Sequence, residues 1–347
     1  MFAVAFRWQP GQLLFAGFAG TALPDDLAAL IRAGRVGGVV LFARNVASPA
    51  QLRALVAELH DRAPASAPLS VAIDQEGGRV QRLRAPWTEW PPMRRLGERG
   101  SPADTEAVAR ALGRELADLR VDLDFAPVAD VDTNPANPVI GDRSFSRDPE
   151  EVARHAVAFT LGLQREGVAA CAKHFPGHGD TSVDSHLELP RIEHDRERLA
   201  RVELVPFRAL AAARVASMMT AHVSLPRLDP AFPATLSPAV LALLREEIGY
   251  DGLVFSDDLE MRAIADRFAP DAVTRGALAA GVDALLVCSR ADLRDQVLAA
   301  LESAPDRLLE AGLGRMAAFK RDHAGGARGA GGSPPYAAHQ ELATRLA

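Results

Sequence analysis

Eight short apolar runs recur along the chain. They are "LLFAGFAG" (13–20), "GGVVLFAR" (37–44), "LSVAIDQEGG" (69–78), "VDLDFAPVAD" (121–130), "VAACAKHFPG" (168–177), "ASMMTAHV" (216–223), "GLVFSDDL" (252–259) and "DALLVCS" (283–289). Most are near-continuously apolar, as parallel strands covered on both faces must be. Between them apolar positions recur at helical spacing. In "SPAQLRALVAELHDR" (48–62), Leu52, Leu55, Val56 and Leu59 share one face, and Ser48 with Pro49 forms a cap and first-turn pair. Residues 104–120, 148–167 and 195–213 behave alike, and "LSPAVLALLREEIGYDG" (236–252) opens with Ser-Pro and closes at Gly249.

Strands alternating with helices predict an α/β fold: a single eight-stranded parallel (β/α)8 barrel of TIM type. An open doubly wound sheet is the alternative. The polar chemistry favours the barrel, because "AIDQEGGR", "AKHFPGHGD", "TAHV" and "FSDDLEM" each follow a different strand. In a barrel those strand ends converge on one mouth; in an open sheet they spread along an edge. The predicted barrel covers residues 1–322. From His323 the Gly/Ala/Pro-rich stretch "HAGGARGAGGSPPYAAHQ" reads as a flexible tail over 323–347.

The 347 residues are 48% hydrophobic and 24% charged, enough apolar material for a large core. A net charge of −6 with scattered Lys and Arg argues against nucleic acid as a partner. No apolar run reaches the 18 residues or so of a membrane span. The first twenty residues, interrupted by Arg7 and Pro10, read as the lead into a strand and not a signal peptide. Cys171 and Cys288 both sit inside apolar runs, which suits two buried thiols in a reducing cytoplasm.

"KHFPGHGDTSVDSH" (173–186) concentrates three histidines among aspartates, glycines and hydroxyl residues. A metal site would need His174 and His178 on one helix face, but Pro176, Gly177 and Gly179 oppose a helix. A polar turn whose histidines bond backbone is the plainer reading, yet it leaves Lys173 and His174 at a strand end unexplained. A proton-transfer reading fits Asp184 and His186. Two apart in extended chain, they point the same way, and a carboxylate beside an imidazole stabilises its charged form. In "VFSDDLEM" (254–261), Asp257 and Asp258 follow a buried strand; one can face the mouth while the other, or Ser256, caps the next helix. "AIDQEGGRVQRL" (72–83) sets Asp74, Glu76, Arg79 and Arg82 around a Gly-Gly turn, without the spacing of a phosphate loop. "NPANPVIGDRSF" (134–145) places Arg143 in a polar loop after the fourth run.

Together these stretches resemble glycoside hydrolase family 3, and within it the single-domain bacterial β-N-acetylhexosaminidases. "KHFPGHGDTSVDSH" is similar to that branch's signature nearly residue for residue, and "IDQEGGRVQR", "NPVIGDRSF" and "FSDDLEM" follow the family's order. The resemblance runs from about residue 10 to 320. It implies release of N-acetylglucosamine from peptidoglycan fragments in cell-wall recycling, by a monomer without metal or cofactor. It implies Asp257 as nucleophile, His186 as acid/base and Asp184 as its partner. Asp74, Arg82, Arg143, Lys173 and His174 match sugar-binding positions, while His178 and Asp180 read as loop-shaping. The alternatives are a β-glucosidase or glycoside phosphorylase of the same fold, or an inactive sugar-binding barrel.

Overall fold

The computed structural model describes residues 9–183, 188–324 and 329–347. Ten strands occur among them: β1 (Leu14–Ala16), β2 (Gly38–Leu41), β3 (Ser70–Ile73), β4 (Gln75–Gly77), β5 (Val80–Gln81), β6 (Leu123–Asp124), β7 (Ala169–Phe175), β8 (Ser217–Thr220), β9 (Leu253–Asp258) and β10 (Ala284–Val287). Eight of them, all but β4 and β5, close into a barrel in the order β1-β10-β9-β8-β7-β6-β3-β2. Every barrel pairing is parallel. Each apolar run supplies one barrel strand, so the closed barrel replaces the open-sheet alternative.

Inside the barrel, the Phe255 ring packs edge-on against Phe15 at 4.9 Å and Phe125 at 5.5 Å between centroids. These rings fill the space beneath the mouth, and aromatic edges against faces are their favoured geometry. Gly38 in β2 makes room: a Cβ there would stand 2.2 Å from the Phe15 ring.

Pro49–Arg62, Pro102–Asp118 and Pro149–Arg165 each begin with proline after a capping Ser48, Ser101 or Asp148, whose side chain accepts a first-turn N–H. Residues 195–213, expected as one helix, form two: Arg196–Arg201 and Leu204–Ala212. Pro206 has no N–H to give and is tolerated only in a first turn, so the helix restarts just before it. No helix among the described residues is long and apolar enough to cross a membrane. Cys171 and Cys288 are free and buried.

Two features differ from the sequence reading. The antiparallel pair β4–β5 forms a small hairpin above β3. And where a flexible tail is expected, residues 337–346 form a helix whose Ala343 and Leu346 are buried.

Candidate active site

The strand ends place the polar residues around one cavity of about 200 Å³ at the C-terminal mouth. Asp74, Arg82, Arg143, Lys173, His174 and Asp257 all line it, so six of the eight expected site residues line one cavity. The other two, Asp184 and His186, lie outside the described residues.

Lys173 is the hub. It lies in the C-terminal half of β7, almost wholly buried, with Nζ 2.7 Å from Asp74 Oδ1 and 2.6 Å from Glu76 Oε1. Arg82 donates to the other Asp74 oxygen at 2.9 Å. Arg143 grips Glu76 with two parallel bonds of 2.8 Å, from Nε and Nη2. Buried charges persist only when paired like this. Burial alone pushes the Asp74 carboxyl up, but Lys173 and Arg82 outweigh it and hold it below the usual range. Glu76 is likewise held down, against its burial, by Arg143 and Lys173. Burial works against the charge on Lys173, yet Asp74 and Glu76 raise its pKa above the ordinary value.

His174 is fixed from behind. Its Nδ1 lies 2.7 Å from Asp130 Oδ2, and the other Asp130 oxygen accepts the backbone N–H groups of His174 at 3.2 Å and His178 at 2.7 Å. Burial pushes Asp130 up, and the two histidines more than reverse it. His178 is pushed down to about 4, by burial first and by neighbouring His174 second, against the pull of Asp130. Its Nδ1 meets the Thr181 hydroxyl at 2.8 Å, and its carbonyl accepts from Asn137 at 2.8 Å. Asp180 accepts the Thr133 hydroxyl at 2.8 Å and faces His194 Nε2 at 2.9 Å. These bonds pin the turn after β7, in keeping with a loop-shaping part for both residues.

β9 carries two carboxyls into the mouth. Asp257 Oδ1 accepts the backbone N–H of Asp258 at 2.8 Å. Asp258 Oδ1 accepts from Glu260 N at 3.1 Å and Cys288 N at 3.3 Å. Burial, then Glu260 and Asp257, push the Asp258 carboxyl up to about 7. Glu260 turns away to accept Ser289 N at 2.6 Å and Arg290 N at 2.7 Å, at the start of helix Ala291–Glu302.

The sequence reading names Glu76 in the carboxylate and arginine set around the Gly-Gly turn without a partner of its own, and gives no role to Asp130, although the geometry gives each one. Asp130 had a signal: an acid at the end of the fourth apolar run. Glu76 also had one, two residues beyond Asp74. Among the described residues, no three or more His, Cys, Asp or Glu side chains are grouped as metal ligands. The arrangement suits a polar ring with many hydroxyls: carboxylates to accept, cations to donate, and Asp257 facing the same space.

The chain matches the model of the glycosyl hydrolase family 3 N terminal domain over residues 7–316. It is 47% identical over 298 residues to a beta-hexosaminidase of Thiobacillus denitrificans, covering 83% of this chain and 81% of that protein. Among solved structures, a family 3 beta-N-acetylglucosaminidase from a Paenibacillus species is similar with TM-score 0.92 and 41% identity, covering 99% of this chain and 68% of that one. NagZ from Neisseria gonorrhoeae, in complex with N-trifluoroacetyl-D-glucosamine, is similar with TM-score 0.84 and 34% identity, covering 96% and 97%.

Proposed function

The chain belongs to glycosyl hydrolase family 3 and is a β-N-acetylhexosaminidase, and from that premise we propose that it cleaves with retention through a glycosyl-aspartate. The observation that carries this reading is Asp257, presented at the end of β9 into the cavity that Asp74, Arg82, Arg143, Lys173 and His174 share. With Oδ1 held by the Asp258 N–H, Oδ2 attacks the anomeric carbon as the bond to the leaving oxygen breaks. His186, supported by Asp184, gives that oxygen its proton and later takes one from the attacking water. These two roles rest on the resemblance of "DTSVDSH" (180–186) to the branch signature.

The paired ions hold the sugar. An ammonium has three donors; Lys173 faces two carboxylates, and its third can reach a sugar hydroxyl. Asp74 accepts hydroxyl protons, and Arg82 and Arg143 donate from fixed forks. Such contacts tighten as positive charge develops on the ring.

The proposed substrate is a peptidoglycan fragment with terminal non-reducing N-acetylglucosamine on anhydro-N-acetylmuramic acid, with or without peptide. The proposed setting is cell-wall recycling in the cytoplasm, by a monomer.

The test is hydrolysis of an aryl N-acetylglucosaminide and the matching glucoside, with mass spectrometry of enzyme trapped on a slow fluorosugar. The N-acetyl substrate should be strongly preferred, and one sugar should appear on the peptide containing Asp257. Asp257→Ala should lose several orders of magnitude in kcat and take no label. A label on another residue, or near-normal turnover by Asp257→Ala, would move the nucleophile elsewhere.

A further inference from the structure

His222 is the third residue of "TAHV" (220–223), just past β8, and its side chain is fully buried. It does not line the cavity. Its bonds nevertheless reach the residue that holds Asp257. His222 Nε2 lies 3.1 Å from the carbonyl oxygen of Asp258. Its Nδ1 lies 2.8 Å from Thr235 Oγ1, which lies 3.0 Å from Thr220 Oγ1.

The direction of these bonds follows from the chemistry at one end. A carbonyl oxygen only accepts, so Nε2 carries the proton. In a neutral ring Nδ1 then accepts, and the Thr235 hydroxyl is its donor. That hydroxyl has a second acceptor, the Ala221 carbonyl, at the longer distance of 3.1 Å. Thr220 in turn donates to Thr235. The two threonines come from β8 and from the short turn Ala234–Leu236, so one ordered chain ties β8 and that turn to the end of β9.

The Asp258 residue is thereby gripped at both ends. Its carbonyl takes His222 Nε2–H and, at 3.1 Å, the Met261 N–H. Its own N–H donates to Asp257 Oδ1. Whatever fixes the Asp258 backbone fixes the donor that orients the Asp257 carboxylate.

We propose that His222 is a positioning residue for the nucleophile: through its bond to the Asp258 carbonyl it sets the Asp258 N–H and hence the line of attack of Asp257. The proposal rests on the reading of Asp257 as nucleophile. A buried residue that never touches the sugar should affect the glycosylation rate and leave binding nearly alone. A carboxylate misplaced by a fraction of an ångström to an ångström loses up to about 100-fold in rate.

Two amide variants separate the bonds. The Gln amide nitrogen can stand where Nε2 stands, so His222→Gln keeps the donor to Asp258. The shorter Asn reaches only where Nδ1 stands, so His222→Asn keeps a partner for Thr235 and loses the bond to Asp258. The experiment measures the burst rate of aryl release, KM and thermal melting for both, with the trapped sugar located in each. His222→Asn should slow the burst about 10- to 100-fold at nearly unchanged KM and melting temperature, and His222→Gln should recover most of it. Equal rates in both variants would overturn the proposal. So would equal losses that track a lowered melting temperature. A trapped sugar away from Asp257 in the unaltered enzyme would overturn the nucleophile reading instead, and the two failures are told apart by where the label sits.

Discussion

Asp257 and Asp258 are neighbours in sequence with different surroundings. Both end β9 and both line the cavity. Asp258 carries the raised pKa, about 7 against an ordinary 3.8, because it is buried beside Glu260 and Asp257. Between roughly pH 4 and 7 the folded protein therefore holds a proton that the unfolded chain has released, and stability falls as pH rises through that window. Asp258→Asn removes the ionisation while its amide oxygen can still accept from Glu260 N and Cys288 N. Its melting temperature should gain on the unaltered protein's from pH 4 to pH 8. Melting curves that stay parallel across that range would show that Asp258 does not titrate there. At this scale the sequence was informative where a polar residue ends an apolar strand: Lys173, His174, Asp74 and Asp257 all stand out in that way. Asp130 itself and the pairing of Glu76 were missed because they depend on residues 44 and 67 positions away, His174 and Arg143. No local pattern records such pairings.

Among the elements, the helices that open with Ser-Pro or Asp-Pro were legible because a cap and a proline act within one turn. The hairpin β4–β5 was not, since it pairs only briefly and with a register shift. The turn after β7 shows how an element can depend on one missing side chain. Gly179 packs against the backbone of residue 131, and a Cβ there would stand 1.8 Å from the Val131 carbonyl oxygen. Neither backbone can yield easily, because Asn134 N bonds the Gly179 carbonyl and Asn137 bonds the carbonyl of His178. Gly179→Ala should cost about 1–3 kcal/mol in urea unfolding. It should also reduce turnover, since the displaced turn carries His178 and adjoins His174. Stability within about 0.5 kcal/mol of normal, with full activity, would show that the contact relaxes freely.

For the whole molecule, eight apolar runs with polar ends were enough to foresee the barrel, because its closure repeats one simple unit. The docking of residues 329–347 was not foreseen, because they are poor in large apolar groups and their docking rests on a few specific contacts. The Tyr336 hydroxyl bonds Asp118 at 3.1 Å, His339 Nδ1 bonds Glu115 at 2.8 Å, and the His339 ring lies 6.1 Å from that of Trp90. Glu115 also accepts the Thr88 hydroxyl at 2.5 Å, and the Trp90 carbonyl accepts Gly78 N at 2.9 Å and Gln81 Nε2 at 3.0 Å. The C-terminal helix thus leans on the segment that holds β4–β5, and that hairpin presents Glu76 and Arg82 to the cavity. A chain ending at His323 should melt roughly 5 °C or more lower. Its losses should also be uneven. The hairpin bonds the sugar-binding ions Arg143 and Lys173 through Glu76, so KM for an aryl N-acetylglucosaminide should rise while kcat changes less. Steady-state kinetics with thermal melting of the shortened chain checks both. An unchanged melting temperature with unchanged KM would show that the helix rests on the barrel without supporting it. A fall in kcat at constant KM would place its influence on the Asp257 side of the mouth.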